Sequence, residues 1–428
     1  MKLLWLLGIV AYPVLATEVS IQFWHSMSGE KGKIVSEMVE EFNKANAGKI
    51  KAQAQFVGTY EEGLNKTRTA LLAKRGPHVV QITDIGTMVM IDTGAIAPLQ
   101  DFVDNDPSFP SKELLPQLRR YYEYGGKLQS LPFATSNPIL YYNEDAFKKV
   151  GLTRAPKTFQ ELVDYSRKLT TAETKTKGIT WPLHSWFFEQ FVARQGQVLV
   201  NFENGRSGRA TEANFLSAES LNFVSLWAAM VKEGIFSNVG RGWEPAEQNF
   251  LAGRAAMLIT STSDVFEVQK KVSFKVVTAP IPAKDESTKG GTIIGGNSLW
   301  ILKDKPDAEK QAAYELVKWM ASKPMQKKWH TNTGYFPIRA DLISELEKEG
   351  FYKKYPNAKT AIDQLRASPS IPATSGALLG VFPELRENID SAIERVLTSG
   401  EDPKTALGKA KEQTEKALAR YNRGREKS

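Results

Sequence analysis

The sequence predicts an α/β protein built as two lobes. Its 428 residues are more than one ordinary hydrophobic core organises, and 42% apolar with 24% charged residues is a globular composition. Near its beginning the chain alternates short apolar strands with amphipathic helices in the order βαβαβ, which is typical of a doubly wound sheet. No low-complexity linker divides the chain, so two lobes joined by several crossovers fit better than two independent domains.

The first elements follow from residue periodicity. EVSIQFW alternates apolar and polar residues and predicts a strand. Ser26 or Ser28 is placed to cap the next helix, whose apolar residues recur on one face from Ile34 to Phe42. By the same criteria the following segments predict a strand, a helix, a strand, and a helix or turn: IKAQAQFV, TYEEGLNKTRTALLAKRG, HVVQIT and IGTMVMIDTG.

These strands direct attention to one edge of the sheet. In open α/β sheets, ligands bind beyond the carboxyl ends of the strands. Trp24, Tyr60 and Asp84 each lie at such an end. We therefore expect a ligand cleft on this side.

The rest of the chain is more helical. Three segments predict amphipathic helices: KTFQELVDYSRKLT, AESLNFVSLWAAMVKEG and PAEQNFLAGR. AAMLIT and FKVVTAPIP predict strands, GGTIIGGNSLWIL a strand pair, and AEKQAAYELVKWMAS a helix. The tail from about Ser391 predicts one long charged helix.

The N-terminus has the pattern of a secretory signal peptide over residues 1–16. Lys2 precedes the apolar run LLWLLGIVAYPV, and the small residue Ala16 provides a cleavage site. The run is short for a membrane anchor, which needs about 20 residues. Cysteine is absent, which excludes disulfides, thiolate metal sites and a lipid anchor on cysteine. We expect a soluble periplasmic protein.

Charge and motifs exclude several functional classes. The net charge of +8 is spread along helices that also carry acids, so nucleic acid is not an expected partner. The four histidines show no metal-ligand spacing, and no P-loop, nucleophile elbow or dinucleotide fingerprint is present. No metal, cofactor or catalytic residue is predicted. The acidic pairs Glu40/Glu41 and Glu61/Glu62 could suggest a glycosidase, but adjacent helical acids point in different directions.

The tryptophans are more informative. Several of the nine lie outside helical stripes, next to glycines or prolines: Trp24, Trp181, Trp186 and Trp243. Loop aromatics can line a cleft for sugars, polyols or quaternary amines. The alternative is core packing, which we expect for Trp227 and Trp319 because they lie in amphipathic helices.

Longer strings carry a family resemblance. In chain order they are FWHSMSGEKGK, GTYEEGL, PFATSNPILYYNEDAFKKVGL, PKTFQELVDYSRKL, IIGGNSLWIL, HTNTGYFPIRADL and GFYKKYPNA. With these strings the chain resembles the family 1 extracellular solute-binding proteins of ABC importers. FWHSM, IIGGNSLW and TGYFPI are similar to the branch of periplasmic sn-glycerol-3-phosphate-binding proteins. The resemblance covers essentially the whole mature chain.

The resemblance implies a two-lobe periplasmic binding protein fold of type II, like maltose-binding protein, with the ligand cleft between the lobes. The N-terminal lobe would comprise residues 17–136 and 281–324. The C-terminal lobe would comprise residues 137–280 and 325–428. Hinge strands would pass near ATSNP and VVTAP.

The resemblance also implies binding residues. Arg386 and Tyr60 would hold a phosphate, and Asp84, where the family usually has Glu, would accept hydrogen bonds from glycerol hydroxyls. Further donors would come from two serines, one backbone N–H and a second tyrosine: Ser136, Ser261, Gly296 and Tyr335. This set fits the chemistry, because a dianionic phosphate needs several donors and arginine offers a planar fork.

Two departures from the family pattern bear on the ligand. Asp84 is one methylene shorter than Glu, and Trp181 and Trp186 do not keep the family's tryptophan spacing. A roomier wall could admit a substituent on the phosphate, as in glycerophosphocholine, with Trp186 or another aromatic facing the cation. Trp24, His25 and Trp181 are expected at the cleft rim.

The sequence thus predicts a non-enzymatic receptor that binds glycerol-3-phosphate or a glycerophosphodiester. It would be a monomer and would dock on permease subunits driven by a separate ATPase. One alternative is a sugar receptor of the same fold. Another is a secreted glycerophosphodiester hydrolase, which would need a metal cluster or nucleophile.

Overall fold

The computed structural model describes residues 18–425. The predicted signal peptide, residues 1–16, lies outside this range. The strands, numbered in chain order, are β1 Val19–His25, β2 Ile50–Phe56, β3 Val79–Thr83, β4 Ile96–Ala97, β5 Glu123–Tyr124, β6 Lys127–Leu128, β7 Leu131–Ser136, β8 Pro138–Asn143, β9 Lys177–Thr180, β10 Ala255–Ser261, β11 Val276–Ala279 and β12 Gly295–Leu302.

The helices surround these strands. In chain order they are α1 Gly29–Ala45, α2 Tyr60–Leu72, α3 Thr87–Thr93, α4 Leu99–Val103, α5 Pro116–Tyr121, α6 Glu144–Lys149, α7 Phe159–Leu169, α8 Ser185–Arg194, α9 Asn201–Gly205, α10 Ala218–Lys232, α11 Trp243–Leu251, α12 Val265–Lys271, α13 Asp307–Met320, α14 Lys323–Thr333, α15 Ala340–Lys348, α16 Phe351–Lys354, α17 Thr360–Ala367, α18 Phe382–Ser399 and α19 Pro403–Arg425. Among residues 18–425, no helix combines the length and apolar character needed to cross a bilayer.

The first sheet has the order β2-β1-β3-β12-β4, and β7 also pairs with β12. β1 runs parallel to β2 and β3, as the βαβαβ pattern predicts. β12 returns from much later in the chain and pairs antiparallel with β3 and β7. The carboxyl end of β3, the end of β7 and the start of β12 therefore meet at one edge.

The second sheet has the order β11-β8-β10-β9. The chain passes from the first sheet to the second at Asn137, between β7 and β8, and returns between β11 and β12. The first crossing lies in the string ATSNP, and the return follows the string VVTAP, most of which forms β11. The exact residue boundaries of the lobes stay a prediction.

Buried apolar clusters pack on both sheets. One covers a face of the first sheet and extends to Tyr141 of the second; it includes Phe23 and Phe133, and Phe133 stacks on Trp329 at 4.9 Å between ring centroids. A second cluster packs on the second sheet and includes Phe191 and Trp227. A third, smaller cluster around Trp300 packs on the first sheet, so a chain of this length is organised around more than one core.

Two predicted elements differ from the structure. GGTIIGGNSLWIL forms the single strand β12 rather than a strand pair, because its first residues lie before the strand begins at Gly295. The tail is two helices rather than one. Gly400 adopts a left-handed conformation with φ of 69° and ends α18 before α19 begins.

Candidate functional site

A cavity of about 640 Å³ opens between the two sheets. Its lining includes all eight residues that the sequence analysis predicts as ligand contacts: Tyr60, Asp84, Ser136, Trp186, Ser261, Gly296, Tyr335 and Arg386. We call seven of them the floor: Tyr60, Asp84, Ser136, Ser261, Gly296, Tyr335 and Arg386. A second group of lining residues, at and just before the starts of α8 and α11, we call the wall: His184, Trp186, Arg241, Trp243, Glu244 and Glu247.

Tyr60 is positioned by the start of α2. Thr59 caps this helix through a capping box, in which the Glu62 backbone N–H donates to Thr59 and the Thr59 N–H donates to the Glu62 carboxylate at 2.8 Å. Tyr60 is therefore held at the first turn of α2, beyond the carboxyl end of β2.

A chain of hydrogen bonds fixes the Tyr60 hydroxyl. Asn297 Nδ2 donates to Tyr60 Oη at 3.0 Å, and Gln81 Nε2 donates to Asn297 Oδ1 at 2.7 Å. Gln81 Oε1 in turn accepts from the Ser26 backbone N–H at 2.8 Å. Burial, reinforced by Tyr335, raises the pKa of Tyr60 well above its ordinary value. Tyr60 thus presents a neutral hydroxyl that can donate to an anion.

Gly296 brings backbone to the cavity where a side chain would not fit. It lies opposite Thr135 in the β7–β12 pair, where the register shifts by a bulge. Its φ is 112°, and a Cβ here would lie 1.9 Å from the Ala134 carbonyl oxygen. Only glycine fits this position, and Ser136 lies beside it at the end of β7.

The Arg386 guanidinium is held by two carboxylates. Its Nε and Nη2 donate to the two Glu189 carboxylate oxygens at 2.6 and 2.9 Å. Asp84 Oδ2 lies 3.6 Å from Nη2. Although burial opposes its charge, Glu189 and Asp84 hold the pKa of Arg386 above its ordinary value. Arg386 stays charged, and among residues 18–425 no protein group accepts from its Nη1.

Asp84 sits in a turn, Asp84–Gly86, directly after β3. Its Oδ1 accepts from the Ile85 N–H at 2.8 Å and from the Thr83 hydroxyl at 3.0 Å. These contacts and its burial leave the carboxylate fixed beside Arg386. The position fits an acceptor for hydroxyl groups of a ligand.

The two lobes meet at the edge of the cavity through Lys31. This residue of α1 donates to Asp264 at 3.0 Å and to the Ser263 hydroxyl at 3.3 Å, both just after β10. Its ammonium also lies 5.3 Å from the ring centroid of Tyr335. Although burial opposes it, Asp264 raises the pKa of Lys31. Lys31 is thus a charged bridge between the lobes.

The wall is aromatic and acidic. The rings of Trp186 and Trp243 lie 5.7 Å apart, and His184 lies 5.4 Å from Trp243. Burial, with Arg386 and Arg241 nearby, lowers the pKa of His184 to about 3, so its ring is neutral. Its Nδ1 accepts from the Trp186 N–H at 3.0 Å.

Glu247 lies one helical turn after Trp243 on α11 and lines the same cavity. Burial, together with Asp264 and Glu267, raises the pKa of its carboxyl to about 7. Arg241, in contrast, is already paired with Glu387 and Glu394 at 2.9 and 2.7 Å. The wall therefore offers acidic and aromatic groups rather than a free cation.

The three predicted rim residues do not line this cavity. Trp181 is wrong as a rim residue: it is 1% exposed and packs in the second core, 4.5 Å from the Phe236 ring. Its neighbour along the chain, Trp186, begins α8 instead and reaches the cavity. Four intervening residues suffice to place the two indoles in different environments.

Trp24 and His25 are also corrected. They are the last two residues of β1, and their side chains point to opposite faces of the sheet. Trp24 packs beside a small apolar cluster that contains Trp300. His25 borders a separate surface recess with Phe56, and burial lowers its pKa to about 4.

Sequence reasoning missed several residues of the site. Glu189 and Asn297 are partners of predicted residues, and Lys31, Asp264 and Glu247 shape the cavity edge. Asn297 stands directly after Gly296 in IIGGNS, so that string held a usable signal. Nothing local marks Glu189, which pairs with Arg386 across 197 positions. Within the described residues no group of three or more His, Asp or Glu is placed to hold a metal ion.

The sequence has clear relatives. It is 34% identical to the sn-glycerol-3-phosphate-binding periplasmic protein UgpB of Pectobacterium atrosepticum over 409 residues, which are 94% of this chain and 91% of that protein. It is 33% identical to UgpB of Escherichia coli K12 over 412 residues, 94% and 93% of the two chains. Both exceed the similarity needed to establish common family membership.

Solved structures share the fold. MalE from Xanthomonas citri superposes with a TM-score of 0.78 at 20% identity, covering 96% of this chain and all of that one. UgpB from Mycobacterium tuberculosis in complex with glycerophosphocholine gives 0.78 at 19% identity, covering 94% and 99%. These likenesses confirm the two-lobe, MalE-like fold. The family model for bacterial extracellular solute-binding proteins matches residues 37–360, and the chain belongs to that family.

Proposed function

We propose that this chain is the periplasmic receptor of an ABC importer and that it binds glycerol-3-phosphate or a glycerophosphodiester between its lobes. The observation that carries the proposal is the floor. Hydroxyl, backbone and guanidinium donors come from both lobes and line one cavity, together with the carboxylate of Asp84. Similarity to the UgpB proteins, whose name states glycerol-3-phosphate binding, supports the same ligand class.

The chemistry favours a phosphate at the floor. Tyr60 and Arg386 supply a neutral and a charged donor, and Gly296 supplies backbone that no side chain covers. Asp84 is the acceptor suited to glycerol hydroxyls. A neutral sugar would make less use of Arg386, which distinguishes this proposal from a sugar receptor of the same fold.

The wall favours a substituent on that phosphate. Trp186 and Trp243 offer aromatic faces, and Glu247 adds a carboxylate on the same side. Aromatic faces with a nearby carboxylate suit an organic cation such as choline. Glycerophosphocholine would therefore span the cavity from floor to wall.

Transport would depend on closure of the two lobes around the ligand. A ligand that contacts both lobes stabilises the closed state by its greater affinity for that state. The closed receptor would then dock on permease subunits, with energy supplied by a separate ATPase. The receptor itself would act without catalysis and as a monomer.

Calorimetry tests the proposal. The mature chain is titrated with glycerol-3-phosphate, glycerophosphocholine and maltose. We expect binding of one or both phosphate ligands and none of maltose. Binding of maltose alone would replace the proposal with the sugar receptor.

A second experiment addresses hydrolysis. The protein is incubated with glycerophosphocholine, and released choline is measured over hours at stoichiometric protein concentration. We expect recovery of intact ligand. Steady release of choline would contradict the receptor proposal.

A further inference from the structure

The positive charge at the floor is already balanced by the protein. Glu189 is 3% exposed and lies behind Arg386, outside the cavity lining, with both carboxylate oxygens on the guanidinium. Asp84 adds a second carboxylate 3.6 Å away. One guanidinium therefore faces two buried carboxylates before any ligand arrives.

The other cations near the cavity are paired as well. Arg241 lies between Glu387 and Glu394, and Lys31 is bound to Asp264 at 3.0 Å. Three further carboxylates line the cavity: Glu61, Glu244 and Glu247. Among residues 18–425, every cation of the cavity thus has a carboxylate partner, and apart from Arg386 Nη1 the remaining donors for an anion are neutral.

We propose that Glu189 is a specificity-determining residue, which makes the cavity accept a phosphate group as a monoanion rather than as a dianion. The inference rests on the proposed function and specifies its ligand class. A phosphodiester carries one negative charge across the neutral range, whereas a phosphomonoester carries nearly two above its second pKa of about 6. Because Glu189 and Asp84 already balance the charge of Arg386, the second charge of a dianion has no unpaired cation to face.

A monoester must then bring a proton into the site. The groups that face Glu189 are Arg386 and Asp390 from α18, Asp84 from the turn after β3, and Tyr121 from α5. Burial raises the pKa of Glu189, and burial raises that of Asp390 to about 6. The proton can reside on the phosphate or on a carboxyl of this cluster, and in either case one negative charge is removed.

The test compares a monoester with a diester that carries no cation. Glycerol-3-phosphate and glycerophosphoglycerol are titrated by calorimetry from pH 5 to pH 8, in two buffers of different ionisation enthalpy. For the monoester we expect uptake of about one proton at pH 7.5, and an affinity that falls about tenfold per pH unit above pH 6. For the diester we expect neither effect.

Glu189→Gln removes the carboxylate charge and keeps one acceptor for Arg386. We expect proton uptake to vanish and the affinity of the monoester relative to the diester at pH 8 to rise about tenfold or more. The control Glu412→Gln makes the same charge change on the exposed face of α19, and the ratio should not move. A role limited to holding Arg386 in place would instead weaken both ligands equally.

The outcomes separate this inference from the proposed function. If wild-type protein binds both ligands with a constant ratio from pH 5 to pH 8 and no proton uptake, the inference is overturned while the proposed function stands. If wild-type protein binds neither ligand, both the inference and the proposed function are contradicted. The wild-type pH profile decides the point even where Glu189→Gln does not fold.

Discussion

The floor and the wall of the cavity are built in opposite ways. The floor is fixed from behind: Asn297 orients Tyr60, Glu189 orients Arg386, and the tight approach to Ala134 dictates Gly296. The wall is less enclosed at Trp243, which is 37% exposed on the first turn of α11. The difference indicates that the floor sets the chemical class of the ligand, whereas the wall accommodates what is attached to it.

The largest expected change is in stability, and it should distinguish a buried tryptophan from one at the wall. Trp181→Ala empties a packed core position, and we expect a loss of about 3–5 kcal/mol in the free energy of unfolding. Trp243→Ala removes a half-exposed ring and should change stability by less than about 1 kcal/mol. Urea unfolding measures both. Equal losses would mean that Trp243 is structural and that the wall is not a separate region.

The same pair should behave oppositely in binding. Trp243→Ala should weaken glycerophosphocholine by about 0.5–2 kcal/mol, the range of a cation–π contact, and leave glycerol-3-phosphate nearly unchanged. Calorimetry with both ligands checks this selectivity. An equal loss of affinity for both ligands would show that Trp243 contacts the part they share, which contradicts its assignment to the wall.

Arg386→Ala tests the floor directly. We expect phosphate ligands to bind about 2–5 kcal/mol more weakly, as for truncation of one partner of a buried charge pair. The matched control is Arg241→Ala at the wall, where the ion pairs are more exposed and should contribute less than about 1 kcal/mol. Unchanged affinity in Arg386→Ala would remove this residue from the ligand site. Thermal unfolding of both variants reports whether the partner carboxylates that lose their cation destabilise the fold.

Gly296→Ala tests the close approach at the floor. The new Cβ would meet the Ala134 carbonyl oxygen, and we expect a loss of stability of about 1–3 kcal/mol together with weaker binding. Gly48→Ala is the control, because Gly48 also has positive φ but no atom within 4 Å of its Cβ position. Equal melting temperatures for the two variants would show that the bulge relaxes around a side chain.

The most specific effect is the pH dependence of stability that Glu247 contributes. Its pKa is raised from 4.5 to about 7 in the fold, so the folded state holds this proton more tightly than the unfolded chain. Stability from this group is complete below pH 4.5 and falls as pH rises to about 7, by about 1–2 kcal/mol after allowance for solvent at the cavity.

The measurement is urea unfolding at pH 5 and pH 8. Glu247→Gln should gain stability relative to wild type between these values, because its amide does not titrate. Glu247→Asp, which keeps a carboxyl at this position, should follow the wild type. A difference between Glu247→Gln and wild type that is the same at both pH values would contradict the assigned titration.

The sequence allowed much of the fold and of the floor to be predicted, for a physical reason. Strand alternation and capping are local signals, and strand ends identify the ligand edge, so Tyr60 and Asp84 could be placed near it. Ser136 was implied only by the family resemblance. The β12 pairing, which brings Gly296 beside Ser136, depends on a crossover that no local period encodes.

Ion-pair partners that are distant in the sequence could not be predicted from it. Glu189 and Arg386 lie on α8 and α18, and nothing in either helix indicates the other. Trp181 and Trp186 look alike as loop aromatics, but strand β9 leads the first into the core and α8 turns the second toward the cavity. Tertiary packing, rather than composition, decided both cases.

A crystal structure of the mature chain with glycerophosphocholine tests the central claim most directly. The account predicts phosphate oxygens within hydrogen-bond distance of Arg386 Nη1, Tyr60 Oη and the Gly296 N–H, with the trimethylammonium group against Trp186 or Trp243. A ligand bound outside this cavity, or with its phosphate at the wall and its cation at Arg386, would contradict the account.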